Sequence, residues 1–308
     1  MLFAMNLEVV TLGEAMRLLL AEPGVALRRA HTFQSSVAGA ETNVAVGLSR
    51  LGHRVGWLSR VGDDSSGAAV LATLRAEGVD VSKVEVASDG FTGLLLRDAD
   101  AERGIDVQYH RSGSAASCLS AAYVRDAGLG GAQLVHVSGI TAMLSPSARE
   151  AAEALFALAR ASGATVSFDP NVRHKLGTPE RWRHAVGPLL ARADLVFAGE
   201  DELELLGYTA DRLIEGGARV VVVKQRNKVA RAVTAEGSWW QESLVTRVVD
   251  PVGAGDALTS GYLSAWLRGA EPAAALRAGA VSAALVVGTR TDLEGLPDRA
   301  ATGVEVDR

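Results

Sequence analysis

From Leu134 to Val223 the chain repeats one unit, a short apolar β-branched run followed by a longer helical pattern. The runs Leu134–Val137, Thr165–Phe168, Asp194–Phe197 and Arg219–Val223 are close to continuously apolar. The helical patterns Ser147–Ala161, Pro179–Leu190 and Glu200–Leu206 lie between them. Strands of that kind need cover on both faces, and strands that each feed a helix pair in parallel. The pattern therefore predicts an α/β chain, a three-layer sandwich with a mostly parallel central sheet. The amino-terminal part keeps the rhythm, with strands at Leu7–Leu12 and Arg54–Ser59 and helices over Thr42–Leu51 and Ser66–Glu77. Ser147-Ala148-Arg149-Glu150 reads as a capping box, with Ser145-Pro146 as an alternative N-cap and first helical position.

Two places break the rhythm. Val25–Val37 reads as extended chain, and Thr92–Arg97 with Ile105–Arg111 reads as a hairpin around the polar loop Asp98–Gly104. Neither is followed by a crossover helix, so these strands cannot easily join the parallel core. They are expected to form a small β-sheet lid, inserted from about residues 14–37 and 91–112 into one domain spanning 1–308.

With 48% hydrophobic and 22% charged residues, 308 residues suffice for such a domain and exclude a disordered or fibrous chain. A net charge of −5 argues against a nucleic-acid or polybasic membrane binder, which leaves a small-molecule partner. Cys118 is the single cysteine, and the six histidines lack metal-ligand spacing, so any metal would be a hard cation held by oxygens. The start of the chain has no basic region of a secretory signal, and the apolar stretch Ala278–Gly288 falls well short of the roughly twenty residues of a membrane span. A cytoplasmic protein is expected.

Two constellations carry chemistry. In Asp250-Pro-Val-Gly253-Ala254-Gly255-Asp256, two glycines and an alanine open a helix, where unpaired backbone N–H groups make an anion hole. A carboxylate there competes with a bound anion unless it takes a proton from a hydroxyl beside it; the plainer reading of Asp256 is a first-turn acid facing the helix dipole. In Ala38-Gly39-Ala40-Glu41-Thr42-Asn43, small residues before an asparagine suit close approach of a polyhydroxylated ligand. Taken locally, Asn43 reads as a helix N-cap. No Walker A sequence and no strand-borne G-x-G-x-x-G is present.

Together, with Gly52 and Gly62 at their intervals, these two motifs resemble those of the ribokinase-like (PfkB) carbohydrate kinases. The resemblance runs from Val10-Thr-Leu-Gly-Glu14 to Glu294-Gly-Leu-Pro297. Within that family, Phe91-Thr-Gly-Leu94, Tyr109-His-Arg-Ser-Gly-Ser-Ala115, His136-Val-Ser-Gly-Ile-Thr141 and Asp169-Pro-Asn-Val-Arg173 are most similar to the 2-keto-3-deoxygluconate kinases. It implies an ATP- and Mg2+-dependent sugar-acid kinase that phosphorylates a primary hydroxyl. Asp256 would be the general base, with Gly253, Ala254 and Gly255 stabilising the transferring phosphoryl group. Gly39, Ala40, Asn43, Tyr109, Arg111, Arg173 and Asp256 would bind the sugar, Arg111 pairing with its carboxylate. Asn171, Lys224, Arg226, Gly253 and Gly255 would bind the nucleotide, and Glu202 would organise the metal. The family also leans towards homo-oligomers, dimer or higher. A fructokinase or ribokinase type, or a catalytically weak sugar binder, are the alternatives.

Three stretches depart from the family pattern. Gly199 stands where Asn or Ser is usual, and Leu95 where the subgroup commonly has tyrosine. In Lys224-Gln-Arg226-Asn-Lys-Val229-Ala, Arg226 and Val229 replace two glycines. Arg226 either forces a different loop or offers its guanidinium to the phosphates.

Overall fold

The computed structural model describes residues 6–98 and 105–301. The expectations for Met1–Met5 and for most of the Asp98–Gly104 loop fall outside them. The first part of the chain contains strands β1 (Val9–Leu12), β2 (Met16–Ala21) and β3 (Phe33–Ala38), helix α1 (Ala40–Arg50), then β4 (Val55–Leu58) and β5 (Arg60–Gly62). Helix α2 (Ser65–Ala76) and strands β6 (Glu85–Ala87), β7 (Leu94–Arg97) and β8 (Val107–His110) follow. The middle holds α3 (Ala121–Ala127), β9 (Leu134–Ser138), α4 (Gly139–Leu144), α5 (Pro146–Ser162), β10 (Thr165–Asp169), α6 (Pro179–Leu190), β11 (Leu195–Gly199) and α7 (Glu200–Leu206). The last part is α8 (Ala210–Glu215), β12 (Val220–Lys224), β13 (Val229–Thr234), β14 (Gly237–Glu242), α9 (Ala254–Leu267) and α10 (Pro272–Val286).

Eight strands form the central sheet in the order β14-β13-β12-β11-β10-β9-β1-β4. It is parallel from β12 to β4, and only β13 and β14 run antiparallel. Side chains of β11 alternate across it: Val196 and Ala198 enter one buried cluster, Leu195 and Phe197 the other. Phe168 meets Phe156 of α5 edge-on at 5.8 Å on the first face, and Phe197 meets Tyr262 of α9 at 5.4 Å on the second. Helices α9 and α10 touch at Gly261, where an added Cβ would stand 2.7 Å from the Ala278 carbonyl. The expected helices Pro179–Leu190 and Glu200–Leu206 match residue for residue. Of the two caps proposed for α5, Ser145 is the one used: its Oγ accepts from the Ala148 N–H at 3.0 Å and Pro146 opens the helix.

The small sheet has the order β3-β2-β7-β8. The hairpin pair β7–β8 is antiparallel as expected, whereas β2 and β7 are parallel. Extended chain was expected over Val25–Val37, but β3 begins only at Phe33 and Leu27–Arg29 is a single 3₁₀ turn. Five buried residues, Met16, Leu18, Leu20, Ala38 and Leu95, make up this sheet's own core. Among the described residues no helix is long and apolar enough to cross a membrane.

Candidate active site

Helix α9 opens behind Gly253, its N-cap, which takes φ 84°, a left-handed conformation that glycine alone adopts freely. A Cβ there would also stand 3.2 Å from Asp292 Cα, so the residue is required twice over. The loop before it is braced by Asp250, whose Oδ1 accepts from the Val252 N–H at 3.0 Å. Ala254, Gly255 and Asp256 form the first helical turn, where backbone N–H groups lack intrahelical acceptors.

Asp256 is buried, and two asparagines hold its carboxylate. Asn43 Nδ2 donates to Oδ2 at 2.7 Å and Asn171 Nδ2 to Oδ1 at 3.2 Å. Burial pushes its pKa up to about 7; Asp169 and Asp292 push the same way, against the Asn43 hydrogen bond and the Arg173 charge. A carboxyl group poised there exchanges a proton readily at neutral pH. Asn171 sits just past β10 at φ 46°, and its N–H donates to Asp169 Oδ1 at 2.9 Å. Asparagine tolerates that conformation better than most residues.

The local reading of Asn43 as an N-cap is corrected. Gly39 is the N-cap of α1, and Asn43 lies inside the helix with its N–H bonded to the Gly39 carbonyl at 2.8 Å. A Cβ at Gly39 would come within 2.5 Å of the Glu14 carbonyl, so glycine is needed for close backbone approach. Glu41 of the same motif is a buried structural group. Its Oε1 accepts from the Ser138 N–H at 3.0 Å and from the Ser138 and Thr141 hydroxyls at 2.7 and 2.6 Å, at the ends of β1 and β9. Burial raises its pKa in spite of these donors.

Lys224 ends β12, and its Nζ donates to Asp169 Oδ2 at 2.9 Å. Burial opposes the ammonium charge, but Asp169, Glu202 and Asp256 outweigh it and keep the group charged. Glu202 reaches back from the first turn of α7, accepting from the Val172 N–H at 2.6 Å and the Gly199 N–H at 2.5 Å. Glu202 is no solvated helix-start acid: burial raises its pKa, helped by Asp169. Among the described residues, no three His, Cys, Asp or Glu side chains are grouped to hold a metal ion.

A cavity of about 440 Å³ lies between the small sheet and the sheet's carboxyl ends. Gly39, Ala40, Asn43, Tyr109, Arg111 and Arg173 line it, with Asn171, Gly253 and Asp256 at its floor. Tyr109 and Arg111 do share a face, the guanidinium lying 5.6 Å from the ring centroid. Arg111 is not a free cation: its Nη2 pairs with buried Glu14 at 2.5 Å. A second cavity, of about 520 Å³, runs along the other side of the α9 loop and is walled by Val229, Val248, Ala254, Leu258, Ala283 and Val287. Lys224, Pro251 and Gly255 line both cavities. Arg226 lines a third space, of about 460 Å³, beside Glu202 and Lys224. Its exposed guanidinium pairs with Glu204 at 2.6 Å. The loop holding it closes as a tight turn, Gln225 N–H to Val229 carbonyl at 2.9 Å, with the positive φ of 65° carried by Lys228.

The sequence reading passed over Arg97 and Asp292. Arg97 donates to Asp250 and, at 2.9 Å, to Asp292, and all three are buried. Locally Arg97 looks like any strand-end arginine, and no spacing in the sequence joins the three.

A family model described as pfkB family carbohydrate kinase matches residues 6–299. A 2-dehydro-3-deoxygluconokinase of Bacillus subtilis is 39% identical over 96% of this chain and 94% of its own. A PfkB protein from Polaromonas superposes with a TM-score of 0.86 at 39% identity, covering 97% of this chain and all (100%) of that one. A putative ribokinase II from E. coli, in complex with ATP and Mg2+, superposes with a TM-score of 0.87 at 26% identity, covering 96% and 97% of the two chains.

Proposed function

The chain belongs to the pfkB family of carbohydrate kinases, and we propose that it moves the γ-phosphoryl group of ATP to the primary hydroxyl of 2-keto-3-deoxygluconate. One observation carries this reading: a cavity into which Asn43, Arg173 and Asp256 project and a more apolar cavity of nucleotide size meet at Lys224, Pro251 and Gly255. A hydroxyl in the first and a triphosphate reaching out of the second converge on the first turn of α9.

Asp256 accepts the hydroxyl proton as the oxygen attacks the γ-phosphorus and the bond to the β–γ bridging oxygen breaks. The sugar phosphate forms, and ADP leaves with the bridging oxygen. Backbone N–H groups at Gly253, Ala254 and Gly255 meet the charge that develops, with Lys224 and Arg173 beside them. Asn43 and Asn171 aim the Asp256 carboxylate. The lid sheet covers the sugar and keeps water out.

Mg2+ enters as part of the nucleotide substrate and neutralises phosphate charge. Glu202 and Asp169 suit it, because N–H donors and Lys224 fix both carboxylates while leaving lone pairs for the ion's waters. Homo-oligomers, dimer or higher, built on the lid sheet, whose edges are β3 and β8, belong to the same reading, as does a cytoplasmic setting where ATP is available.

Arg111 and Tyr109 at the lid end of the cavity, together with Arg173, support an acidic sugar, as does the name of the Bacillus relative. The pairing of Arg111 with Glu14, and Leu95 in the cavity wall, favour the second reading, a fructokinase- or ribokinase-type kinase for a neutral sugar. ADP release with MgATP against 2-keto-3-deoxygluconate, gluconate, fructose and ribose decides between them. Turnover on the keto-deoxy acid, lost in Asp256→Asn, supports the first; turnover confined to a neutral sugar replaces it with the second.

A further inference from the structure

The lid carries the wall of the sugar cavity, yet its own core is five residues. So small a cluster holds little orientation by itself. A charged bridge at the end of β7 supplies what the packing lacks. Arg97 is 1% exposed, and its guanidinium fork spans two buried carboxylates from distant parts of the chain. One nitrogen donates to Asp250, the residue that braces the loop before the anion hole through Val252. The other donates to Asp292 at 2.9 Å, and Asp292 Oδ2 accepts in turn from Asn43 Nδ2 at 3.4 Å. Asn43 is one of the two asparagines that hold Asp256. A line of polar contacts thus runs from the lid, through one guanidinium, to both the phosphoryl-binding loop and the base.

The geometry is specific to arginine. Two carboxylates on separate segments require a planar, two-pronged donor, and an ammonium is a single point charge. In β7 the strand pairs Leu95 with Tyr109 and Arg97 with Val107, so a shift of Arg97 is passed along the ladder to Val107 and Tyr109.

We infer that Arg97 is a positioning residue that ties the lid sheet to the α9 loop, holding the sugar wall and the Gly253–Gly255 N–H groups in one register. The inference rests on the kinase reading for its kinetic consequence, though not for the mechanical one. It assigns Arg97 no contact with the reacting atoms.

Arg97→Ala leaves a guanidinium-sized gap between two buried acids, which makes chemical rescue the test. The expected result is a kcat lowered on the order of ten- to a hundredfold, as misplacement of reacting groups produces, with KM for ATP changed less than about twofold. Millimolar guanidinium restores part of the kcat, and urea, its neutral isostere, does not. Amide exchange quickens together at residues 94–97 and 250–257, leaves 134–138 unchanged, and slows again with guanidinium. Should the single variant fail to fold, Arg97→Met/Asp250→Asn cuts the tie without altering the net buried charge and is expected to show the same kinetic and exchange pattern. A folded variant with unchanged kcat, rescue by urea as well as by guanidinium, or loosening confined to 94–97 overturns the inference. If the wild-type protein turns over no sugar, the kinase reading falls, and the exchange arm alone still decides the role of Arg97.

Discussion

Replacing Asn43 with leucine tests how the proposed base, Asp256, is tuned. Asn43 donates at 2.7 Å to Asp256, whose pKa of about 7 balances burial and neighbouring acids against that bond and Arg173. A hydrogen bond to a charged group contributes roughly 1.5–3 kcal/mol, and each pKa unit corresponds to about 1.4 kcal/mol. Losing the bond should therefore raise Asp256 by about one to two units. At pH 7 the ionised fraction falls from about one half to between roughly a tenth and a hundredth, so about five- to fiftyfold less active base remains. The measurement is kcat/KM from ADP release between pH 5.5 and 9.5, which reports the free enzyme. Asn43 also lines the cavity proposed for the sugar, so the position of the acid limb is the readout rather than its height. The expected limb moves from near 7 to between about 8 and 9, with activity recovering towards high pH. A limb that stays at 7, or a loss equal at every pH, refutes the argument that this bond stabilises the ionised form.

The same group links to stability. The folded pKa of Asp256 is raised from 3.8 to about 7, so its contribution is most favourable below pH 3.8 and is lost as pH rises towards 7. Asp256→Asn removes that penalty and should be the more stable protein by a few kcal/mol at pH 8, on the order given by three pKa units, with the advantage shrinking towards pH 4. Urea midpoints at both pH values check this, and equal midpoints at pH 8 contradict it. Gly253→Ala forces φ 84° on a residue with a Cβ and crowds Asp292, so it should cost at least about 1 kcal/mol and lower kcat more than KM; wild-type turnover would show that the loop does not need its shape. Arg111→Ala should abolish preference for an acidic sugar over fructose. It is best made with Glu14→Gln, since Glu14 would otherwise be buried without its counter-charge, keeping only the Ser114 hydroxyl. An unchanged preference in that double variant removes Arg111 from carboxylate recognition.

Much of the architecture was legible because its causes are local. Apolar runs between helical patterns imply covered parallel strands, Pro179 opens α6, and Ser145-Pro146 starts α5. Three short helices, α3, α4 and α8, were passed over, since six or seven residues carry little periodicity, although α7, of seven residues, was foreseen. The lid was foreseen from strands without crossover helices, but its β2–β7 pairing joins segments that no turn connects.

The Asp250–Asp256 motif determined by itself that an acid would stand among backbone N–H groups at the mouth of one helix. Backbone freedom and orphan N–H groups belong to a few consecutive residues, and the sequence displays them. What the acid could do there was decided in three dimensions. Asn43 is no cap because α1 has already begun at Ala40, and its amide reaches Asp256, 213 residues away. The Asp256 carboxyl is brought near neutrality, as the proposed base requires, because the fold buries it beside Asp169 and Asp292. Arg111 acquires Glu14, and Arg97 acquires Asp250 and Asp292, from segments that only packing brings together. Charge and desolvation act through space, so residues meet as partners only once the chain has folded.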